Sequence, residues 1–234
     1  MDNQFLRTEM LLGKEGLEKL KNSKVAVFGL GGVGGYVAEA LVRSGIGAID
    51  LIDSDTVDIT NLNRQIFATQ NTIGMNKTTA AEKRLLEINP NLKITTHNTF
   101  FMPENSHEFD FKKYDYIVDA IDTVTAKIEL VLKAEECNVP IISSMGTGNK
   151  MNASMLEVAD IYKTSVCPLA RVMRYELKKR EIKKLKVVYS KEKAIKTGIT
   201  NPENGKPIPS SCIFVPASAG FIIAGEVVKD LIKL

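Results

Sequence analysis

The chain has 234 residues, 31 Lys+Arg against 28 Asp+Glu and a net charge of +3, so it fits one large domain and its overall charge selects no polyanionic partner. Its three cysteines are far apart, with no C-x-x-C pair to hold zinc and no disulfide framework, which makes a reducing, cytoplasmic setting the default. The segment Met1-Asp2-Asn3-Gln4 lacks a basic and apolar leader, and secretion is not expected. The most apolar stretch, Ile213 to Val228, is too short for a membrane span, contains Pro216 and Glu226, and reads as a buried strand and helix, so no membrane role is expected.

Taken in chain order, Phe5 to Leu20 places leucines at helical spacing, with Gly13 and Gly16 breaking the run; short helices are expected there, available to a partner. Lys24-Val25-Ala26-Val27-Phe28 then turns directly into Gly29-Leu30-Gly31-Gly32-Val33-Gly34-Gly35, a strand, a tight turn and the start of a helix that runs from Val33 to Ser44 and stops at Gly45. Glycines let backbone approach a phosphate, and the free N–H groups of the next helix face the anion. Gly31 and Gly32 are the candidates for that approach. A second strand, Ala48 to Asp53, ends in an acid about 20 residues past the glycines, where a carboxylate can take ribose hydroxyls. Asp53, with Asp55 beside it, is assigned to the ribose side.

Asp53 to Phe67 is polar, long and without period, which marks a functional loop. Lys77 to Ile88 is helical and ends at Asn89-Pro90, Lys93 to Thr99 alternates as a strand, Tyr114 to Asp122 is the fourth strand, Thr125 to Glu136 a helix, and Val139 to Ser144 the fifth strand. Strands alternating with helices predict an α/β, Rossmann-like, doubly wound and mainly parallel sheet. Beyond Gly146-Thr147-Gly148 the pieces Ser154 to Val158, Lys186 to Tyr189 and Ser211 to Val215 read as strands of an antiparallel C-terminal extension, around a charged helix at Ala170 to Lys184. Thr197 to Pro209 is expected to be a mobile loop. The organisation expected is one domain over 1–234, with a helical arm at 1–22, a nucleotide-binding core at 23–148 and an elaboration for substrate or dimer contacts at 149–234.

The glycine run, Asp53-Ser54-Asp55, Asn61-Leu62-Asn63-Arg64-Gln65, Lys77 and Asp122 together resemble the adenylating enzymes related to ubiquitin-activating E1, which include the activators of bacterial sulfur-carrier proteins. Within that group, Phe5-Leu6-Arg7-Thr8-Glu9, Thr60 to Ile66 and Ala120-Ile121-Asp122, without zinc cysteines, are most similar to the tRNA threonylcarbamoyladenosine dehydratases. The resemblance implies attack of a carboxylate on the α-phosphorus of ATP, giving an acyl-adenylate and pyrophosphate. It implies that Arg64 and Lys77 bind phosphate, that Asn61 lies near the phosphates, that Asp122 binds Mg²⁺, and that Arg7 enters the ATP site of a neighbouring subunit in a homodimer. Placement at the carboxyl end of a parallel strand supports Asp122 independently. In the dehydratases the carboxylate belongs to threonylcarbamoyladenosine at position 37 of tRNA, and ring closure then expels AMP. Activation of the C-terminus of a ubiquitin-like carrier protein is the alternative, and a sulfur-relay protein is a further partner the family suggests.

An NAD-dependent oxidoreductase is disfavoured, because a pyrophosphate held by backbone N–H groups needs neither a magnesium carboxylate nor a triphosphate lysine. Asp119 is assigned a structural role, Cys212 that of a buried inert thiol in preference to a catalytic one, and His97 and His107 none. The basic stretch Arg171 to Lys196, opposed only by Glu176, Glu181 and Glu192, suits an RNA backbone or a solvated helix face equally.

Overall fold

The computed structural model describes residues 4–198, 200 and 210–234. The backbone builds one seven-stranded sheet: β1 (Lys24–Phe28), β2 (Ala48–Ile52), β3 (Lys93–His97), β4 (Tyr116–Asp119), β5 (Ile141–Ser144), β6 (Leu156–Asp160) and β7 (Lys186–Ser190). Their spatial order is β3-β2-β1-β4-β5-β7-β6. All neighbours run parallel except the last pair, where edge strand β6 lies antiparallel to β7. The mainly parallel α/β class therefore holds, with the antiparallel element confined to one edge.

Successive strand residues serve opposite faces, which is why the strands read as continuous apolar runs. Val25, Val27, Ile49, Leu51 and Val118 enter the core beneath α2 (Gly34–Ser44), α3 (Lys77–Ile88) and α6 (Phe214–Ile232). Ala26, Phe28, Ile52 and Ile117 enter a second core with α4 (Val124–Cys137) and the ring cluster Phe101, Phe109 and Phe111. A third cluster joins α4 to α5 (Pro168–Lys179) through Val131, Ala170, Met173 and Leu177. The chain leaves β1 toward β2 and β3 on one side and returns to β4 on the other. This reversal opens a crevice at the carboxyl ends of β1 and β4.

Three expectations change. Ser211 to Val215 is not a strand, because α6 begins at Phe214. Val215, Ala219, Ile223 and Val227 are buried at helical spacing, and Gly220 lies so close to α2 that a Cβ there would come within 2.7 Å of Tyr36 Cβ. Pro216 falls in the first turn, where its missing N–H costs nothing. The charged helix ends at Lys179 rather than Lys184, Glu181 taking a left-handed conformation (φ 59°). Only Gly13 breaks the N-terminal helix α1 (Leu6–Lys21), at φ 77° and ψ 164°. Gly16 stays helical, in the half of α1 whose Leu17 and Leu20 are buried and which packs on α6 of its own chain, while Leu6, Met10 and Leu11 remain exposed. The loop expected at Thr197 to Pro209 falls largely outside the described residues.

Candidate active site

A cavity of about 310 Å³ opens in that crevice, lined among others by Gly31, Gly32, Asp53, Asp55, Arg64, Lys77 and Asp122. The glycines that line the turn serve different ends. A Cβ on Gly34 would meet Gly29 O at 1.8 Å, and one on Gly29, itself at φ 91°, would meet Ala120 O at 2.7 Å, so these two glycines are required by backbone closeness. Gly31 has nothing within 4 Å of such a Cβ and faces the cavity. Its backbone is open to a ligand, beside the first turn of α2, whose N–H groups and dipole favour an anion.

Asp53 fixes this turn. One carboxylate oxygen accepts the Leu30 N–H (2.6 Å) and the other the Asp55 N–H (2.8 Å). The carboxylate placed on the ribose side by its spacing thus also holds the glycine loop. Lys77, at the first turn of α3, is nearly buried. Its Nζ lies 2.6 Å from Asp55 Oδ2 and 3.7 Å from Asp53 Oδ1, and its own N–H donates to Asp55 O (2.9 Å). Arg64 packs its stem near Gly32 and donates through one terminal nitrogen to Thr60 O (2.8 Å) and Asn63 Oδ1 (2.9 Å). Its other guanidinium donors have no partner among the described residues. Asp122 is exposed at the carboxyl end of β4, its only described contact being a 3.4 Å hydrogen bond from the Thr123 hydroxyl.

Two residues assigned to the site stand outside the cavity wall. Asn61 is buried in a short 3₁₀ turn and accepts the Asp58 N–H (3.1 Å), capping the loop that carries Arg64. Arg7 is exposed on the first half of α1 and does not reach the cavity of its own chain. Cys212 departs from the expectation of a buried thiol: it is half-exposed, with Sγ 3.3 Å from Met151 Sδ, because α6 starts only after it. His97, the last residue of β3, sits 3.5 Å from Asp50 of the neighbouring β2, His107 is exposed, and neither lines the cavity.

The structure adds residues that motif reading passed over. Lys127 of α4 is fully buried, its Nζ 2.8 Å from Asp119 Oδ2, 3.1 Å from Ile121 O and 2.8 Å from Ser144 O. It ties the ends of β4 and β5 together and holds the carbonyl of Ile121, the residue before Asp122, and Ser143 Oγ completes the Asp119 shell at 2.6 Å. The signal was present: Lys127 stands on the same helical stripe as Leu130, Val131 and Ala134. The opposite wall comes from Thr147, Gly148, Ser210 and Ser211. Asn149, left-handed at φ 58°, exchanges backbone and side-chain hydrogen bonds with Ser210 at 2.7 Å, and Asn63 donates to Ser211 O (2.9 Å). Lys150 holds the turn through Gly146 O (2.6 Å), and its burial pushes the ammonium below its ordinary pKa.

Residues 5–233 match the ThiF family. The chain is 44% identical to the tRNA threonylcarbamoyladenosine dehydratase of Bacillus subtilis, across all of this chain and 96% of that one. Against the enzyme of the same name from Escherichia coli it is 37% identical over 75% of this chain and 65% of the other. Its fold superposes on the crystal structure of the E. coli tRNA N6-threonylcarbamoyladenosine dehydratase TcdA in complex with ATP, with a TM-score of 0.90 at 31% identity, covering 98% of this chain and 94% of that one. The AMP complex of the same enzyme gives a TM-score of 0.88.

Proposed function

The chain belongs to the ThiF family, and on that footing we propose that it dehydrates threonylcarbamoyladenosine in tRNA at the expense of ATP. The observation that carries this reading is the convergence of Gly31, Arg64, Lys77 and Asp122 on one cavity at the carboxyl ends of parallel strands. The carboxylate of the modification attacks the α-phosphorus of ATP and pyrophosphate leaves. A nucleophilic atom of the same modification then attacks the activated carbonyl and AMP departs, so the net loss is one water.

Each step moves negative charge onto phosphate oxygens, and the wall supplies preplaced cations and N–H groups for it. The glycine turn and the start of α2 bind phosphate through backbone N–H groups. Arg64 brings its unpaired fork donors, and Lys77 an ammonium held in place by Asp55 and Asp53. As the phosphates enter, Lys77 trades its contact with Asp55 for them and leaves that carboxylate to the ribose side.

The donor set suits Mg²⁺. Of the carboxylates that line the cavity, Asp53 is engaged by the glycine turn and Asp55 by Lys77, which leaves Asp122 with no cation beside it among the described residues, and these hold no cluster of three or more acidic, His or Cys ligands. Mg²⁺ is commonly held by one or two carboxylates plus substrate phosphates and water. When bound it neutralises phosphate charge; Asp122 anchors it and Lys127 holds the strand end beneath.

The exposed Leu6, Met10 and Leu11 beside Arg7 support a homodimer in which Arg7 serves the neighbour's phosphates. Mixed Arg7→Ala and Asp122→Asn subunits should then regain part of the lost activity, since one site of each mixed dimer is intact; no regain despite proven exchange refutes the shared site. A sulfur-relay protein and a cytoplasmic location belong to the same reading, and no described helix is long and apolar enough to cross a membrane. Mass analysis of tRNA nucleosides after incubation with ATP tests the whole. Loss of the mass of one water from threonylcarbamoyladenosine supports it. AMP release stimulated only by a protein ending in Gly-Gly would replace it with carrier activation.

A further inference from the structure

The basic stretch resolves into two populations of cations. Glu176 is committed to Arg180 (2.7 Å) and Lys179 (3.6 Å), Lys186 to Asp230 and Glu226, and Lys191 to Glu157. Arg174 is turned inward onto the Thr164 carbonyl (3.0 Å). Arg171, Lys178 and Lys183 are exposed, and their side chains have neither an ion pair nor a hydrogen bond to another described residue. Ala170, Met173 and Leu177 bury the inner stripe of α5. Arg171, Tyr175 and Lys178 therefore stand together on its outer stripe, at spacings of four and three. Tyr175 is 61% exposed, with Lys179 Nζ 4.1 Å from its ring centre, and Val172 is exposed beside it. A merely solvated helix face commonly alternates the signs of its charges. Here the helix has one acid, and that acid is already engaged.

The start of this helix abuts the cavity. A Cβ on Gly146 would lie 3.8 Å from Cys167 Sγ and 3.9 Å from Leu169 Cβ, and the next two residues, Thr147 and Gly148, line the wall. From there α5 runs 12 residues, about 18 Å, away from the site. We infer that the outer stripe of α5, continued by Lys183, is the track on which the RNA backbone next to the reacting nucleotide is held, with Tyr175 offering its ring to a base or ribose. This rests on the reading of the substrate as a modified tRNA. Unpaired cations favour polyphosphate over a protein tail, because each phosphate contact releases a condensed counterion. The exposed ring between them suits single-stranded RNA, whose bases are free to stack.

The test compares two triple variants of equal charge loss. One carries Arg171→Gln, Lys178→Gln and Lys183→Gln; the other carries Lys83→Gln, Lys93→Gln and Lys112→Gln, exposed lysines away from α5. Binding of threonylcarbamoylated tRNA is measured across a salt series, and ATP binding by calorimetry. The α5 triple should lose at least tenfold in tRNA affinity near physiological salt and flatten the slope of log K against log salt by about two, at roughly 0.7 per lost contact. The distant triple should change that slope by less than one, and both should bind ATP as the parent does. Tyr175→Ala should weaken binding further without altering the slope. An unchanged slope in the α5 triple, or equal flattening in both, overturns the inference while leaving the substrate reading intact, provided the parent protein converts modified tRNA. A parent that releases no AMP with modified tRNA overturns both.

Discussion

Lys77 and Lys178 lie in one chain in opposite surroundings, and the contrast separates two uses of positive charge. At the cavity and beneath it, two lysines are buried and already coordinated: Lys77 between Asp53 and Asp55, Lys127 among Asp119 and two carbonyls. On α5, Arg171 and Lys178 are solvated and their side chains have no partner among the described residues. In the low-dielectric wall a misplaced charge costs several kcal/mol, so position is enforced and transition-state charge is met without reorganisation. On the helix each charge is screened over about 8 Å at physiological salt, so many are needed and none is decisive.

The largest effects should therefore fall in the wall. Asp122→Asn and Lys77→Ala are expected to reduce ATP-dependent AMP release by about a hundredfold or more, whereas Lys178→Gln alone should change it by less than about threefold at saturating tRNA. A Lys77→Ala variant no worse than Lys178→Gln would erase the distinction.

Next comes Lys127. Replacing it with Met leaves Asp119 buried without a counter-charge, which should cost about 3–5 kcal/mol in urea unfolding. Adding Asp119→Asn should restore most of that loss. If the double variant is no more stable than the single, the ion pair is not what holds the ends of β4 and β5 together.

Gly34→Ala against Gly31→Ala sharpens the comparison within a single turn. The first should lose about 1–3 kcal/mol, because the new methyl collides with Gly29 O. The second should unfold within about 0.5 kcal/mol of the parent, yet bind ATP at least tenfold more weakly, because its methyl enters the space given to phosphate. Equal stability of the two variants would contradict the assigned geometry.

The smallest effect is one of pH. Burial pushes the Glu39 carboxyl up, but hydrogen bonds from Arg84 and Arg43 and their charges outweigh it and hold the group below its ordinary value of 4.5. A carboxylate with a lowered pKa in the folded state contributes stability above the unfolded pKa and loses it as pH falls through the folded one. The stability advantage of the parent over Glu39→Gln should therefore be full at neutral pH and shrink below about pH 4.5. An advantage that does not vary between pH 7 and 3 would show that Glu39 acts by packing alone.

Local regularity explains how much could be read in advance. The helix expected over Lys77 to Ile88 is α3 residue for residue, and the glycine turn follows β1 where the pattern placed it, since a strand-to-helix turn leaves its mark in adjacent residues. Gly31, Gly32, Asp53, Asp55, Arg64, Lys77 and Asp122 all reach one cavity. The run before α6 misled because Cys212-Ile213-Phe214-Val215 is β-prone by composition, whereas burial against α2 decides for a helix.

By itself the sequence determined the parallel α/β layering, the phosphate-turn chemistry and the candidate charged residues, because these rest on periodicity, glycine conformation and short spacings. Only the tertiary structure decided which charges act alone. It brought Ser210 against Asn149 from 61 residues away, set Lys127 on Asp119 beneath the site, and withdrew Lys179, Arg180 and Lys186 into ion pairs while leaving the side chains of Arg171 and Lys178 without a partner among the described residues. Whether a cation is paired, buried or open to a ligand depends on neighbours remote in the chain, and no local pattern encodes them.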